Sequence, residues 1–255
     1  MVIRPGLCSV TLRALPVDDV ARLAGECGLV AIEWGGDVHV PPGDAAAAAR
    51  ARAASAAADL EVASYGSYAF ALGIPDATES GAVLDSATAL GAPNVRVWGG
   101  VGVAASGEVF DSLVAALAGF AAEAAGRGLT VGLEYHGGTV TGTLAGTLAL
   151  LDAVGAPNLT SYWQPPYWRG PTTAAADTAE VAALGPRLSH LHVYEWAGPE
   201  ARLPLDAGSA RWRAVLDAAA GAERVAFLEF VVGDDPDALR RDARTLREWL
   251  EAQDR

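Results

Sequence analysis

Eight short β-type runs alternate with longer Ala- and Leu-rich stretches over 255 residues, and this pattern predicts an α/β protein, a closed (β/α)8 TIM barrel in a single domain, 1–255. Three observations carry the expectation. The runs recur at intervals of roughly thirty residues, enough for one strand, one helix and their connections. Nothing along the chain reads as an interdomain linker. The G-x-G-x-x-G fingerprint is missing after the first strand, which weakens the alternative of an open, doubly wound dinucleotide-binding sheet.

The strand candidates, in order, are 7–11 (LCSVT), 30–34 (VAIEW), 62–67 (VASYGS), 94–99 (NVRVWG), 130–136 (TVGLEYH), 159–164 (LTSYWQ), 188–196 (LSHLHVYEW) and 225–231 (VAFLEFV). Helix starts are marked at Pro16, Pro75-Asp76 and Pro236-Asp237. Helix ends are marked by Gly28, Gly91, Gly128 and Gly155. In a barrel, active-site residues belong at the C-terminal ends of the strands.

Composition removes whole classes of function. A net charge of −13 and a pI near 4.6 give no basic face for nucleic acid and no support for binding an anionic membrane. No apolar run reaches eighteen residues without Gly, Pro or charge, so no transmembrane helix is expected. The first ten residues lack a signal peptide's apolar region. Cys8 and Cys27 form no metal spacing and read as buried small hydrophobes in a reducing, cytoplasmic setting. All 18 cationic side chains are arginine. The absence of lysine removes Schiff-base and pyridoxal-phosphate chemistry and the P-loop.

The polar residues gather where a barrel would need them. His39 follows the second strand, His136 ends the fifth, and His190 and His192 lie in the seventh. His190 lies deeper, where a hydrogen-bonded core histidine is an equal alternative. Strand-borne carboxylates are Glu33, Glu134 and Glu229, with Glu195 at the end of the seventh run. A carboxylate inside a barrel is costly unless paired or bound to a cation. Arg96 is the one strand-borne cation, and it cannot neutralise three glutamates, so an added positive charge is expected. Period-two geometry puts Glu134 with His136, Tyr162 with Gln164, and His192 with Tyr194 on shared faces. With those faces inward, Glu134, Gln164, His192 and Glu229 lie at similar heights. Two carboxylates, an imidazole and an amide oxygen suit a divalent metal, whether Mn, Co, Mg or Zn.

In this order, the segments IEWGGDVHVPP, GLEYHGG, HLHVYEW and FLEF resemble the xylose isomerase-like TIM barrels, the sugar (phosphate) isomerase/epimerase superfamily, over the whole chain. The resemblance implies a metal held by Glu, Asp, His and Glu on strands five to eight, which here are Glu134, Gln164, His192 and Glu229. Gln164 departs from the pattern: it is neutral, so the site loses one negative charge. The lysine of true xylose isomerases is missing too. The arginine that follows the strand-seven histidine in the tagatose/psicose 3-epimerase branch is replaced at that offset by Gly198, and Arg202 comes later. A DNA-repair endonuclease of the superfamily would need more histidines and a surface tolerant of phosphate.

The function so implied is a sugar or sugar-derivative isomerase/epimerase working through an enediolate. The metal would polarise a carbonyl, while Glu134 and Glu229 remove and return the neighbouring proton. The alternatives are a lyase or dehydratase on the same scaffold, or a catalytically degenerate sugar-binding barrel. Candidate contacts to a small polyhydroxylated substrate are Trp34, His39, Arg96, Trp98, His136, Trp163, Trp168, Tyr194 and Glu195. The tryptophans among them fall at strand ends or in the loops just after, as Trp196 does, and suit sugar rings or aromatic aglycones. Homo-oligomer formation is left open. In YWQPPYW (162–168), Pro165 and Pro166 cannot donate to a ladder, so strand six must stop at Gln164, at the barrel mouth.

Overall fold

The computed structural model describes residues 3–198 and 201–253. Among these residues eight parallel strands close a barrel in sequential order. They are β1 (Ile3–Cys8), β2 (Ala31–Gly35), β3 (Glu61–Gly66), β4 (Asn94–Val97), β5 (Thr130–Leu133), β6 (Leu159–Trp163), β7 (Leu188–Val193) and β8 (Arg224–Leu228). The surrounding helices are α1 (Val17–Glu26), α2 (Ala45–Ala57), α3 (Ala77–Leu90), α4 (Glu108–Gly126), α5 (Leu144–Val154), α6 (Ala174–Leu184), α7 (Ser209–Ala219) and α8 (Pro236–Gln253). The single-domain (β/α)8 barrel is therefore the observed fold.

Local chemistry sets the helix limits. Asp76 caps α3 by accepting from Thr78 and Glu79, and the Glu79 side chain reaches back to the Asp76 amide. Gly91 ends the same helix at φ 74°, a left-handed conformation that other residues adopt at a penalty. By length and composition α4 could cross a membrane, but its Phe110, Leu113, Leu117 and Phe120 are buried within the protein.

Two strand expectations need correction. The first strand is Ile3–Cys8, and 9–12 form a 3-10 turn. Pro5 removes a single donor from β1, and its carbonyl still accepts from Val30. The turn that follows is held by Thr11, whose hydroxyl donates to the Leu228 carbonyl and accepts from the Phe230 amide. The seventh strand stops at Val193. Glu195–Trp196 then pairs antiparallel with Arg202–Leu203.

Most of the core lies between barrel and helices, around Trp34, Leu133, Trp163, Trp212 and Leu246. A smaller apolar cluster, with Tyr162, Val225 and Phe227, fills the barrel itself. Glycines make the room that large inward side chains need. A Cβ at Gly132 would lie 2.5 Å from the Tyr162 ring, and one at Gly6 would lie 2.6 Å from Val225. A Cβ at Gly66 would lie 2.6 Å from the Arg96 guanidinium and 2.8 Å from the Glu33 carboxylate. Gly132→Ala is therefore expected to destabilise the fold by about 1–3 kcal/mol through overpacking, read as a lowered urea midpoint at unchanged m-value.

Candidate active site

The floor of the site is a buried ionic network. Glu33, fully buried on β2, accepts from Arg96 Nε at 2.8 Å and from the Tyr162 hydroxyl at 2.8 Å. The Cys8 thiol also donates to it, at 3.3 Å. The second arm of Arg96, Nη1, donates to Glu134 Oε2. On the other side His192, fully buried on β7, places Nδ1 2.9 Å from Gln164 Oε1 and 3.1 Å from Glu229 Oε2. Its Nε2 makes no hydrogen bond, with Glu33 Oε1 3.4 Å away.

These contacts decide protonation. Burial would raise the Glu33 carboxyl, but Arg96 and His192 overcome it and hold Glu33 well below the usual carboxylate range. Burial works against a charge on His192, yet Glu229 and Glu33 push it up to about 10. Burial likewise opposes ionised Glu229, and His192 and Arg96 bring its carboxyl down. His190, one pair deeper, is pushed down to about 4 by burial, and its Nδ1 accepts from the Val225 amide. His190 is a structural histidine.

Above the floor a cavity of about 160 Å³ opens at the C-terminal end of the barrel. Its polar lining is Arg96, Glu134, His136, Gln164 and Glu229, and its aromatic lining is Tyr68, Trp98, Tyr167, Tyr194 and Phe230. Glu134 and Glu229 sit one residue past their strands. Their amides still bond to the neighbouring strands, at the carbonyls of Val97 and Val193. His136 lies between the Trp98 and Trp168 rings, at 4.5 and 5.7 Å. Its Nδ1 is 2.8 Å from the Gly137 carbonyl; a carbonyl only accepts, so Nδ1 carries the hydrogen and Nε2 is left to accept.

Of the residues predicted from sequence, Arg96, Trp98, Glu134, His136, Gln164, Tyr194 and Glu229 reach this cavity, and His192 lies directly under it. Trp168 stands behind His136, with its indole N–H on the Gly142 carbonyl. Four expectations are corrected. Trp34 faces α2 and donates to Ser55. Trp163 faces α6 and α7, donating to Glu180 and packing on Trp212. Glu195 pairs with Arg211. His39 is buried between Ser9 and the Leu15 carbonyl. Alternation explains the first three: each adjoins an inward residue, Glu33, Tyr162 or Tyr194, and so points outward. Tyr68, Tyr167 and Phe230 were missed. They sit on connections after strands, where no periodicity signals direction.

The expected shortage of positive charge is met in part by His192, which Glu229 and Glu33 favour as a second cation. Three carboxylates against Arg96 leave two negative charges with His192 neutral and one with it protonated. The donors suit a divalent cation as well. Neighbouring ligands around a small dication with bonds of 2.0–2.1 Å lie about 3 Å apart. The His192 contacts to Gln164 and Glu229 have that spacing, and donor atoms of Glu134, His192 and Glu229 lie within 4.8 Å of one another. A dication would cancel the charge left by neutral His192.

The sequence model of the xylose isomerase-like TIM barrel family matches residues 21–251. The chain belongs to this family. No curated protein matches it. Solved structures of the same barrel include the probable 3-DHS dehydratase AsbF of Bacillus anthracis, at 20% identity over 96% of this chain and 99% of that one, with a TM-score of 0.79. A xylose isomerase domain protein of Alicyclobacillus acidocaldarius matches at 19% identity over 99% and 100%, with a TM-score of 0.75. A D-allulose 3-epimerase of Methylomonas sp. matches at 20% identity over 98% of each chain, with a TM-score of 0.71. Within the family, Gln164 occupies the place at which the sequence resemblance puts an aspartate.

Raising the His192 pKa above its ordinary 6.5 has a consequence for the metal-free protein. The stabilisation is fully present below pH 6.5 and is lost as the pH rises through about 10. After chelator treatment the thermal midpoint is expected to fall between pH 7 and pH 10, and His192→Gln is expected to flatten that slope.

Proposed function

We propose that the protein is an isomerase or epimerase of a small polyhydroxylated carbonyl compound, working by proton transfer next to the carbonyl. The observation that carries this reading is the pair Glu134 and Glu229, facing one cavity and each anchored through one oxygen by a cation. Arg96 holds Glu134 Oε2, and His192 holds Glu229 Oε2. The other oxygen of each carboxylate is free of these anchors. A carboxylate oxygen can take a proton, and a cation beside the group favours giving it back. Two such groups remove a proton from one side of a carbon and return one to the other.

Glu134, Gln164, His192 and Glu229 would hold a divalent metal, with His192 giving up its Nδ1 hydrogen and the metal taking over as the cation beside Glu229. When bound, the metal supplies Lewis acidity at the carbonyl and the neighbouring hydroxyl. Tyr68, Trp98, Tyr167 and Phe230 present flat faces to the substrate and displace water from it. His136 Nε2 accepts a substrate hydroxyl.

Dehydration after the same first step is the second reading. The five aromatic side chains of the lining favour it, since they receive a flat, unsaturated product as readily as a sugar. The two are separated in one assay. Incubation with keto-sugars in D₂O is expected to put deuterium next to the carbonyl without a rise in ultraviolet absorbance, whereas a growing chromophore would favour the lyase. Glu134→Gln and Glu229→Gln are each expected to slow exchange by about 100-fold or more. Exchange that persists in either variant would remove that residue from proton transfer. Metal analysis and divalent-metal titration are expected to show uptake that Glu229→Gln weakens. Ligand binding with neither metal uptake nor exchange would mark a binding barrel.

A further inference from the structure

We infer that the substrate carries no anionic group: it is a free sugar or cyclic polyhydroxy ketone, and Asp234, Asp235 and Asp237 help to exclude its phosphate ester. The inference rests on the function proposed above and adds the chemical class of what enters the site.

Among the described residues, Arg96 is the one arginine that lines the cavity. Its Nε and Nη1 are taken by Glu33 and Glu134, and its Nη2 lies against Gly66, where a Cβ would come within 2.6 Å. Both edges of the guanidinium that could grip a phosphate with two hydrogen bonds thus include a nitrogen already committed to a carboxylate, and its charge is matched by Glu33 and Glu134. Glu134 and Glu229 present carboxylates to the same space, so an entering dianion would meet like charge in a poorly solvated cavity.

The outer grip is closed as well. In barrels of this architecture, phosphate is frequently held by the loops after strands seven and eight and a helix N-terminus there. Here the connection from β8 to α8 reads Gly233-Asp234-Asp235-Pro236-Asp237. The Asp237 amide is already taken by Asp235 Oδ1 at 3.2 Å. The nearby cations are committed: Arg202 pairs with Asp234 and lies 4.9 Å over the Phe230 ring, and Arg211 pairs with Glu195. Asp237 likewise holds Arg240, so the exposed aspartates of this turn keep its cations committed, and Asp235 adds a carboxylate on a chain of net charge −13 that disfavours an anion approaching Phe230 and the cavity. What the walls offer instead are aromatic faces, which suit the C–H face of an uncharged ring.

The test is equilibrium binding to the full chain with Mn²⁺ present, at low ionic strength. D-fructose, D-tagatose and D-xylulose are each compared with their own phosphate esters, and inorganic phosphate is titrated alone while the thermal midpoint is followed. Free sugars are expected to bind at least about tenfold more tightly than their esters, and inorganic phosphate to give no shift. In Asp234→Asn/Asp235→Asn/Asp237→Asn, whose positions are exposed, the ester is expected to gain about three- to tenfold, an effect that salt screens. An ester that binds the wild type as tightly as its free sugar overturns the inference, as does a phosphate shift that Tyr167→Ala removes. An unchanged ratio in the triple variant overturns the role of the aspartates. Should no sugar bind, the sugar reading of the site fails, and inorganic phosphate alone still decides whether anions are excluded.

Discussion

A guanidinium sealed inside a barrel is the constraint on which the rest of the site depends. Arg96 cannot shed its proton, so it must be matched on the spot by carboxylates with good geometry. Glu33 and Glu134 do this from two different strands. Their placement forces Gly66 on the strand between β2 and β4, because any side chain there would displace the pair. It also recruits Tyr162 from across the barrel, and that ring in turn requires Gly132. The interior is thus shaped around one charge, and the glycines are as much a part of the site as the acids.

Much of this was legible in the sequence. The spacing of the β-type runs predicted the barrel, and alternation placed Glu134, His136, Tyr162, Gln164, His192 and Tyr194 on inward faces, where they are found. The same alternation carries a message that is easy to overlook: the partners in between must face outward. Trp34 and Trp163 look like pocket residues by composition, but each follows an inward side chain and is spent on packing against helices. Proximity to a strand end is a weaker guide than parity. The first strand begins four residues before the expected run: Pro5 sacrifices one donor, and Gly6 clears space for Val225 and Phe227.

What the sequence could not reveal was how charges combine in three dimensions. Counted along the chain, the cluster is short of positive charge. In the fold, His192 becomes a cation because Glu229 and Glu33 both lean on it. The atoms that share its proton also have the spacing a dication needs, so one constellation serves either occupant. Gln164 fits both, since an amide oxygen accepts from an imidazolium as well as it ligates a metal. Membership in the family fixes the scaffold, and the chemistry is argued from these side chains.

The lip after β6 bears on the thermodynamics of capture. Pro165 and Pro166 fix their own backbone, the Tyr194 hydroxyl donates to the Pro165 carbonyl at 2.8 Å, and the Trp168 indole donates to the Gly142 carbonyl at 3.0 Å. This aromatic wall is already in position before a ligand arrives. Little conformational entropy is left for binding to remove at this edge, so the contacts it makes convert more fully into affinity. Fidelity to ring shape is then set by a rigid template on the β6 side and does not wait on that segment closing.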